Sequence, residues 1–144
     1  MLILNDNVRE ALLSHAEREY PHECCGVLLG LRADGKRIAE RAVRLENKSG
    51  SDKTVRFAVD PLDIPRIEKT AFAEGREIVG FYHSHPNRAA VLSKTDERYM
   101  LEDCSYPVVS VNEGAGGMVF KIASFEKMIG TSICSEEQIS ESEK

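Results

Sequence analysis

Residues 83–96 read HSHPNRAAVLSKTD, from His83 to Asp96, and two kinds of local structure meet inside them. The run ending at His85, EIVGFYHSH, reads as a strand; Pro86 to Leu92 reads as a loop, and SKTDERYMLEDC as a short helix. In a strand, side chains two apart share a face, so His83 and His85 project the same way while Ser84 points opposite. In a helix, residues three apart share a face, so Ser93 and Asp96 project together. A serine followed three residues later by an acid is also a capping-box start, which alone gives Ser93 and Asp96 a purely structural role. The loop is short enough to fold the helix start back over the strand end. Two histidines and one carboxylate then make a three-ligand set, the composition of catalytic zinc sites that leave the fourth position to water.

Outward from this stretch the pattern is mixed. LIL at Leu2–Leu4 reads as a short strand, and Asn5 or Asp6 can cap a helix over NVREALLSHAEREY, with Val8, Leu12 and Ala16 on one stripe. Pro21 ends that helix, and His15 on it is expected to be solvated. ECCGVLLGLR is a continuous apolar run and reads as a buried strand. Asp34-Gly35 marks a hairpin tip, with RIAERAVRLEN as the partner strand, KSGSDKT as a polar loop and VRFAVD as a further alternating strand. Pro61 opens a second helix, PLDIPRIEKTAFAEG, in which Pro65 is tolerable only in the first turn and Gly75 can supply a left-handed end. YPVVSVN and MVFKIASFE close the domain around the turn EGAGG. From residue 130 to 144 the chain is polar and acidic, ending SEEQISESEK, and is expected to be a disordered tail. Residues 1–129 are expected to form one α/β domain of the α+β type, a curved, mostly antiparallel sheet flanked by helices.

Composition bounds the function. A chain of 144 residues is one ordinary domain and can bury enough surface to fold without disulfides or a structural metal. Its net charge of −5 lacks the basic footprint that nucleic-acid binding needs. No apolar run approaches the ~20 residues of a membrane span, and MLILNDNVRE has no basic region followed by an apolar stretch. The expectation is a cytoplasmic protein with no nucleic-acid or membrane partner. The four cysteines, Cys24, Cys25, Cys104 and Cys134, include no C-x-x-C pair, so they read as reduced, partly buried thiols packed as small hydrophobes; the alternative reading sets Cys24 or Cys25 near a metal that it modulates.

Other metal sites fit less well. A deaminase would need H-x-E with a later P-C-x-x-C, and a thermolysin-like site H-E-x-x-H; neither P-C-x-x-C nor H-E-x-x-H occurs. Two histidines and a carboxylate also serve non-haem iron oxygenases, which require no glutamate base.

The spacing H-x-H, seven residues, S-x-x-D, with the glutamate of PHECCGVLLG upstream, resembles the signature of the JAMM (MPN+) zinc metallopeptidases. The likeness runs from about Leu2 to Glu126, and YPHECCGVLLG and GFYHSHP resemble the small bacterial and archaeal members. Leu92 stands where many relatives carry proline. The resemblance implies a cytidine-deaminase-like JAMM fold and one Zn²⁺ per chain held by His83, His85 and Asp96. It also implies Glu23 as the proton shuttle and Ser93 as a donor to the oxyanion. The implied substrate is the C-terminal Gly-Gly tail of a ubiquitin-like or sulfur-carrier protein, cleaved at a peptide or isopeptide bond. The chain is too short for the added loops of eukaryotic deubiquitinases. The alternative is a noncatalytic scaffold of the same fold, but such relatives lose the ligands or the glutamate, and all five residues are present here.

Overall fold

The computed structural model describes residues 1–141. Strand β1 (Leu2–Leu4) leads into helix α1 (Asp6–Glu19), whose first turn is capped by Asn5 accepting the Val8 amide at 3.0 Å. Strands β2 (Cys25–Ala33) and β3 (Lys36–Leu45) form a hairpin. Asp34 and Gly35 both take positive φ at its tip, the conformation that a two-residue turn between twisted strands requires. Helix α2 (Asp63–Ala73) holds Pro65 in its first turn and is followed by Gly75 at φ 73. Then come β4 (Glu77–Pro86), α3 (Lys94–Arg98), β5 (Tyr106–Gly114), β6 (Gly117–Lys127), β7 (Cys134–Glu137) and β8 (Ile139–Ser140). No helix among the described residues is long and apolar enough to cross a membrane.

The strands make one sheet in the order β7-β6-β5-β4-β2-β3-β1-β8. Four of its seven pairings are antiparallel; β1 with β3, β1 with β8, and β4 with β5 are parallel. Helix α1 packs on the inner face through Val8, Leu12 and Ala16, against Leu4, Leu28, Val79, Tyr82 and Val109. Helix α2 covers the outer face, where Ile64, Ile67 and Ala71 meet Val27, Leu29, Ile78 and Phe81.

One irregularity decides where the histidines point. Between β2 and β4 the register shifts, with Leu28 opposite Gly80 but Leu29 opposite Ile78. Val79 is therefore an extra residue, a bulge. Ile78 lies on the outer face and Val79 on the inner, yet beyond the bulge Phe81 is outer and Tyr82 inner. Strict alternation from Ile78 would have turned His83 and His85 inward; the extra residue turns them out. Gly80 permits this, because a β-carbon there would strike the Ser105 carbonyl, whose backbone bonds Val79 and Phe81, each at 2.9 Å.

Three expectations need correction. VRFAVD is not a strand: residues 55–60 run irregularly, with no neighbouring strand to pair with. One side chain ties this segment to its surroundings, and the Lys48 amide bonds the Ala58 carbonyl at 2.8 Å. Asn47 donates to the carbonyls of Glu23 and Arg56 and accepts from the amides of Ser49 and Ala58. The expected disorder beyond Gly130 does not hold for Cys134–Ser140. β7 pairs with β6, β8 pairs with β1, and only Gln138 separates them, its carbonyl accepting the Leu2 amide at 3.0 Å. The two ends of the strand order thus meet, and the sheet closes on itself without an open edge there. Acidic composition concealed this because the acid is paired. Buried Glu137 takes Arg37 at 2.9 Å, Ser124 at 2.7 Å and the N-terminal amine at 3.3 Å. Residues 142–144 of that tail lie outside the described residues. Finally, His15 is buried rather than solvated. Three residues past Leu12, it falls beside the apolar stripe, and its Nδ1 meets the Tyr82 hydroxyl at 2.8 Å.

Candidate metal centre

The site forms at the end of β4, on the outer face. His83 pairs in register with Cys25 of β2 on one side and Val108 of β5 on the other. Continuing that antiparallel register by two residues sets Glu23 beside His85 and on the same face. Ser84 points the other way, its hydroxyl accepting the Cys24 amide at 2.8 Å, as the alternation predicts. The loop after Pro86 then returns α3 over the strand end.

Ser93 and Asp96 form a complete capping box: Ser93 Oγ accepts the Asp96 amide at 3.0 Å, and Asp96 Oδ2 accepts the Ser93 amide at 2.9 Å. The structural and functional readings of this pair therefore describe one geometry. The cap aims Oδ2 at the histidines, 3.2 Å from His83 Nε2 and 3.4 Å from His85 Nε2, while the two Nε2 atoms are 3.1 Å apart. Ligands about 2.05 Å from a tetrahedral metal lie about 3.3 Å from one another. The three atoms have that triangle's dimensions. They are lone-pair carriers that repel at this range unless a proton or a cation lies among them.

Neighbouring groups fix each ligand atom. The Ala89 carbonyl lies 3.0 Å from His85 Nδ1. A carbonyl can only accept, so the ring hydrogen belongs on Nδ1 and the Nε2 lone pair is free. Phe57 stacks on the His83 ring with centroids 4.9 Å apart and planes 26° from parallel. Burial pushes the His83 pKa down against the upward pull of Asp96. For Asp96, burial pushes up, but the neighbouring imidazoles of His83 and His85 and the Ser93 amide outweigh it and hold the carboxyl well below the usual range. A neutral imidazole beside an ionised carboxylate is the state a divalent ion needs.

Glu23 is almost wholly buried, 3.8 Å from His85 Nε2, and takes Arg88 Nη2 at 3.0 Å. Burial raises its pKa, Arg88 and His85 pull back, and the net value is about 7. Glu23, His83 and His85 are themselves close enough to hold an ion, with ligand atoms within 4.8 Å of one another. Both carboxylates thus have access to the position between the histidines, and Asp96 is the nearer to both rings.

All five residues singled out in the sequence come together. Cys25 is on the site's face beside His83 and Cys24 is on the inner face; both are free, and burial raises their pKa values to about 12 and about 11. They pack as neutral thiols. His22 is exposed, as expected. Three contributors went unread: Phe57 from the irregular segment, Asn47 just after β3, and Arg88 from within the opening stretch. Arg88 carried a signal, being a cation three residues from a histidine pair.

Residues 5–124 match the family described as prokaryotic homologues of the JAB domain. Desampylase from Haloferax volcanii is 33% identical over 110 residues, 74% of each chain. CysO-cysteine peptidase from Mycobacterium tuberculosis is 31% identical over 116 residues, 78% of this chain and 75% of that one. The solution structure of a protein from Desulfitobacterium hafniense superposes with a TM-score of 0.77 at 30% identity, covering 96% of this chain and 91% of that one. The matched residues include β2, β4, α3 and the whole cluster at the end of β4, and on that breadth the chain belongs to the prokaryotic JAB-domain family.

Proposed function

We propose that this chain is a zinc-dependent hydrolase that cuts a peptide or isopeptide bond at the C-terminal Gly-Gly tail of a ubiquitin-like protein. The observation that carries the reading is the triangle of His83 Nε2, His85 Nε2 and Asp96 Oδ2, with edges of 3.1, 3.2 and 3.4 Å, beside a buried glutamate. The names desampylase and CysO-cysteine peptidase support hydrolysis of bonds to small carrier proteins.

His83, His85 and Asp96 would hold the ion, leaving its fourth position open. When bound, zinc supplies Lewis acidity, which makes a water acidic enough to ionise near neutral pH. Glu23 would accept a proton from the attacking water as the new carbon–oxygen bond forms, and would return it to the leaving amine as the carbon–nitrogen bond breaks. Burial raises its pKa above the ordinary carboxylate value, which strengthens it as a base. Ser93 Oγ already accepts the Asp96 amide, so its hydroxyl hydrogen is the part left to give. It donates to the oxyanion that develops on the scissile carbonyl.

The test pairs metal analysis with turnover. The substrate is a carrier ending in Gly-Gly followed by a short extension. Wild type should hold one zinc per chain and release the extension. Glu23→Gln should hold zinc and lose at least about 10²-fold in kcat, by the usual size of a lost acid–base catalyst. His83→Ala and Asp96→Ala should lose the zinc. A wild type that takes up no zinc on dialysis and cleaves nothing would overturn this reading and leave the noncatalytic scaffold.

A further inference from the structure

Glu23 has a second possible fate in this site. Its carboxylate lies 3.8 Å from His85 Nε2, and Glu23, His83 and His85 can offer ligand atoms within 4.8 Å of one another. A small side-chain rotation would make it a fourth ligand, filling the position that hydrolysis needs open. Divalent cations attract carboxylates strongly, so something must oppose that rotation.

We propose that Arg88 is a positioning residue that holds the Glu23 carboxylate off the metal position, so that it stays a base and the fourth position stays open. This rests on the zinc-hydrolase reading above. The Arg88 guanidinium donates through Nη2 to Glu23 Oε1 at 3.0 Å. Charge-assisted bonds of this kind are directional as well as strong. The loop that delivers Arg88 is anchored independently of Glu23. The Arg88 carbonyl accepts Ser110 Oγ at 2.5 Å, and Ser110 Oγ in turn accepts Asn112 Nδ2 at 2.8 Å. Before it, the Asn87 amide bonds the Val111 carbonyl at 2.8 Å and Asn87 Oδ1 takes the Tyr20 hydroxyl at 2.8 Å. Asn87 holds φ 58 there. After it, the Ala89 carbonyl orients His85. One loop therefore sets a ligand's orientation with its backbone and restrains the base with its side chain. Arg88 Nε is buried with no partner among the described residues. A buried donor left unpaired is costly, and here the cost accompanies a guanidinium held on one acid.

Arg88→Met keeps the aliphatic stem that packs in the loop and removes the charge. Zinc affinity is measured without substrate, by competition with a chromophoric chelator. Released from Arg88, Glu23 joins the ion, so Arg88→Met should bind zinc about tenfold more tightly while kcat falls. The double variant Arg88→Met with Glu23→Gln should return to wild-type affinity. An arginine that merely stiffened the loop gives the opposite sign, because a looser Ala89 carbonyl frees the His85 ring and zinc binds more weakly. Unchanged or weaker binding overturns the proposal. Arg88→Gln, neutral but polar, carries the same expectation should the methionine variant fold poorly. A wild type that binds zinc but cleaves no carrier refutes the proposed reaction, and the clamp is then still decided on zinc affinity.

Discussion

Replacing His15 with glutamine should change how stability depends on pH. His15 is 3% exposed and bonds the Tyr82 hydroxyl. Burial, assisted by Arg44, pushes its pKa down from 6.5 to about 4. A base whose folded value lies below its unfolded one stabilises the fold at high pH. That contribution is lost as pH falls, because the unfolded chain takes up the proton first. Between pH 7 and pH 5, values of 6.5 and about 4 remove about 2 kcal/mol. Glu23 runs the other way over the same window. Its folded value of about 7 lies above 4.5, so acid stabilises the fold through it by about 2 kcal/mol. The wild-type profile alone therefore hides both. The difference between His15→Gln and wild type isolates the histidine, and glutamine can still meet the Tyr82 hydroxyl. Urea denaturation with a chelator present throughout keeps metal linkage out of the comparison. Relative to wild type, the variant should gain about 2 kcal/mol on going from pH 7 to pH 5, roughly 1 M in urea midpoint. Profiles that stay parallel within about 0.5 kcal/mol, well under the linkage value, would refute the argument that His15 is held neutral by burial.

Truncation after Thr131 removes β7 and β8 and strips Arg37 of Glu137. Arg37 keeps Asp103 at 3.2 Å and Glu126 at 3.3 Å, so stability should fall by about 1.5–3 kcal/mol, the usual size of a lost charge-assisted hydrogen bond. The exposed edges of β6 and β1 should promote association, visible in light scattering; a monomeric truncation that melts like wild type would contradict the closure of the sheet. Asn47→Ala leaves the Ser49 and Ala58 amides and the Glu23 and Arg56 carbonyls without their partner. A loss of about 1–3 kcal/mol and faster hydrogen exchange at Ala58 are expected. Retained protection there would show that the irregular segment is held by other contacts.

The sequence by itself determined the elements whose signals are local. Asn5 before an apolar stripe, Asp34-Gly35 between apolar runs, and Gly75 after a helix each act within a few residues, and each appears where expected. Four of the five candidate site residues, His83, His85, Ser93 and Asp96, were legible for the same reason, whereas Glu23 entered only through the family resemblance. H-x-H on a strand and S-x-x-D at a helix start are fixed by backbone period alone. What the period could not supply was the face. A single extra residue at Val79, admitted by Gly80 against the Ser105 carbonyl, turns both histidines outward, and a slip of one residue leaves no trace in composition. The same limit explains VRFAVD, SEEQIS and His15. Alternation names a strand only if a partner strand is present, and an acidic segment is solvated only if no buried cation awaits it. Asn47 lies eleven residues from Ala58, and Arg37 a hundred from Glu137. Only tertiary structure decides contacts at that separation, because their free energy comes from groups the chain brings together after its local elements have formed.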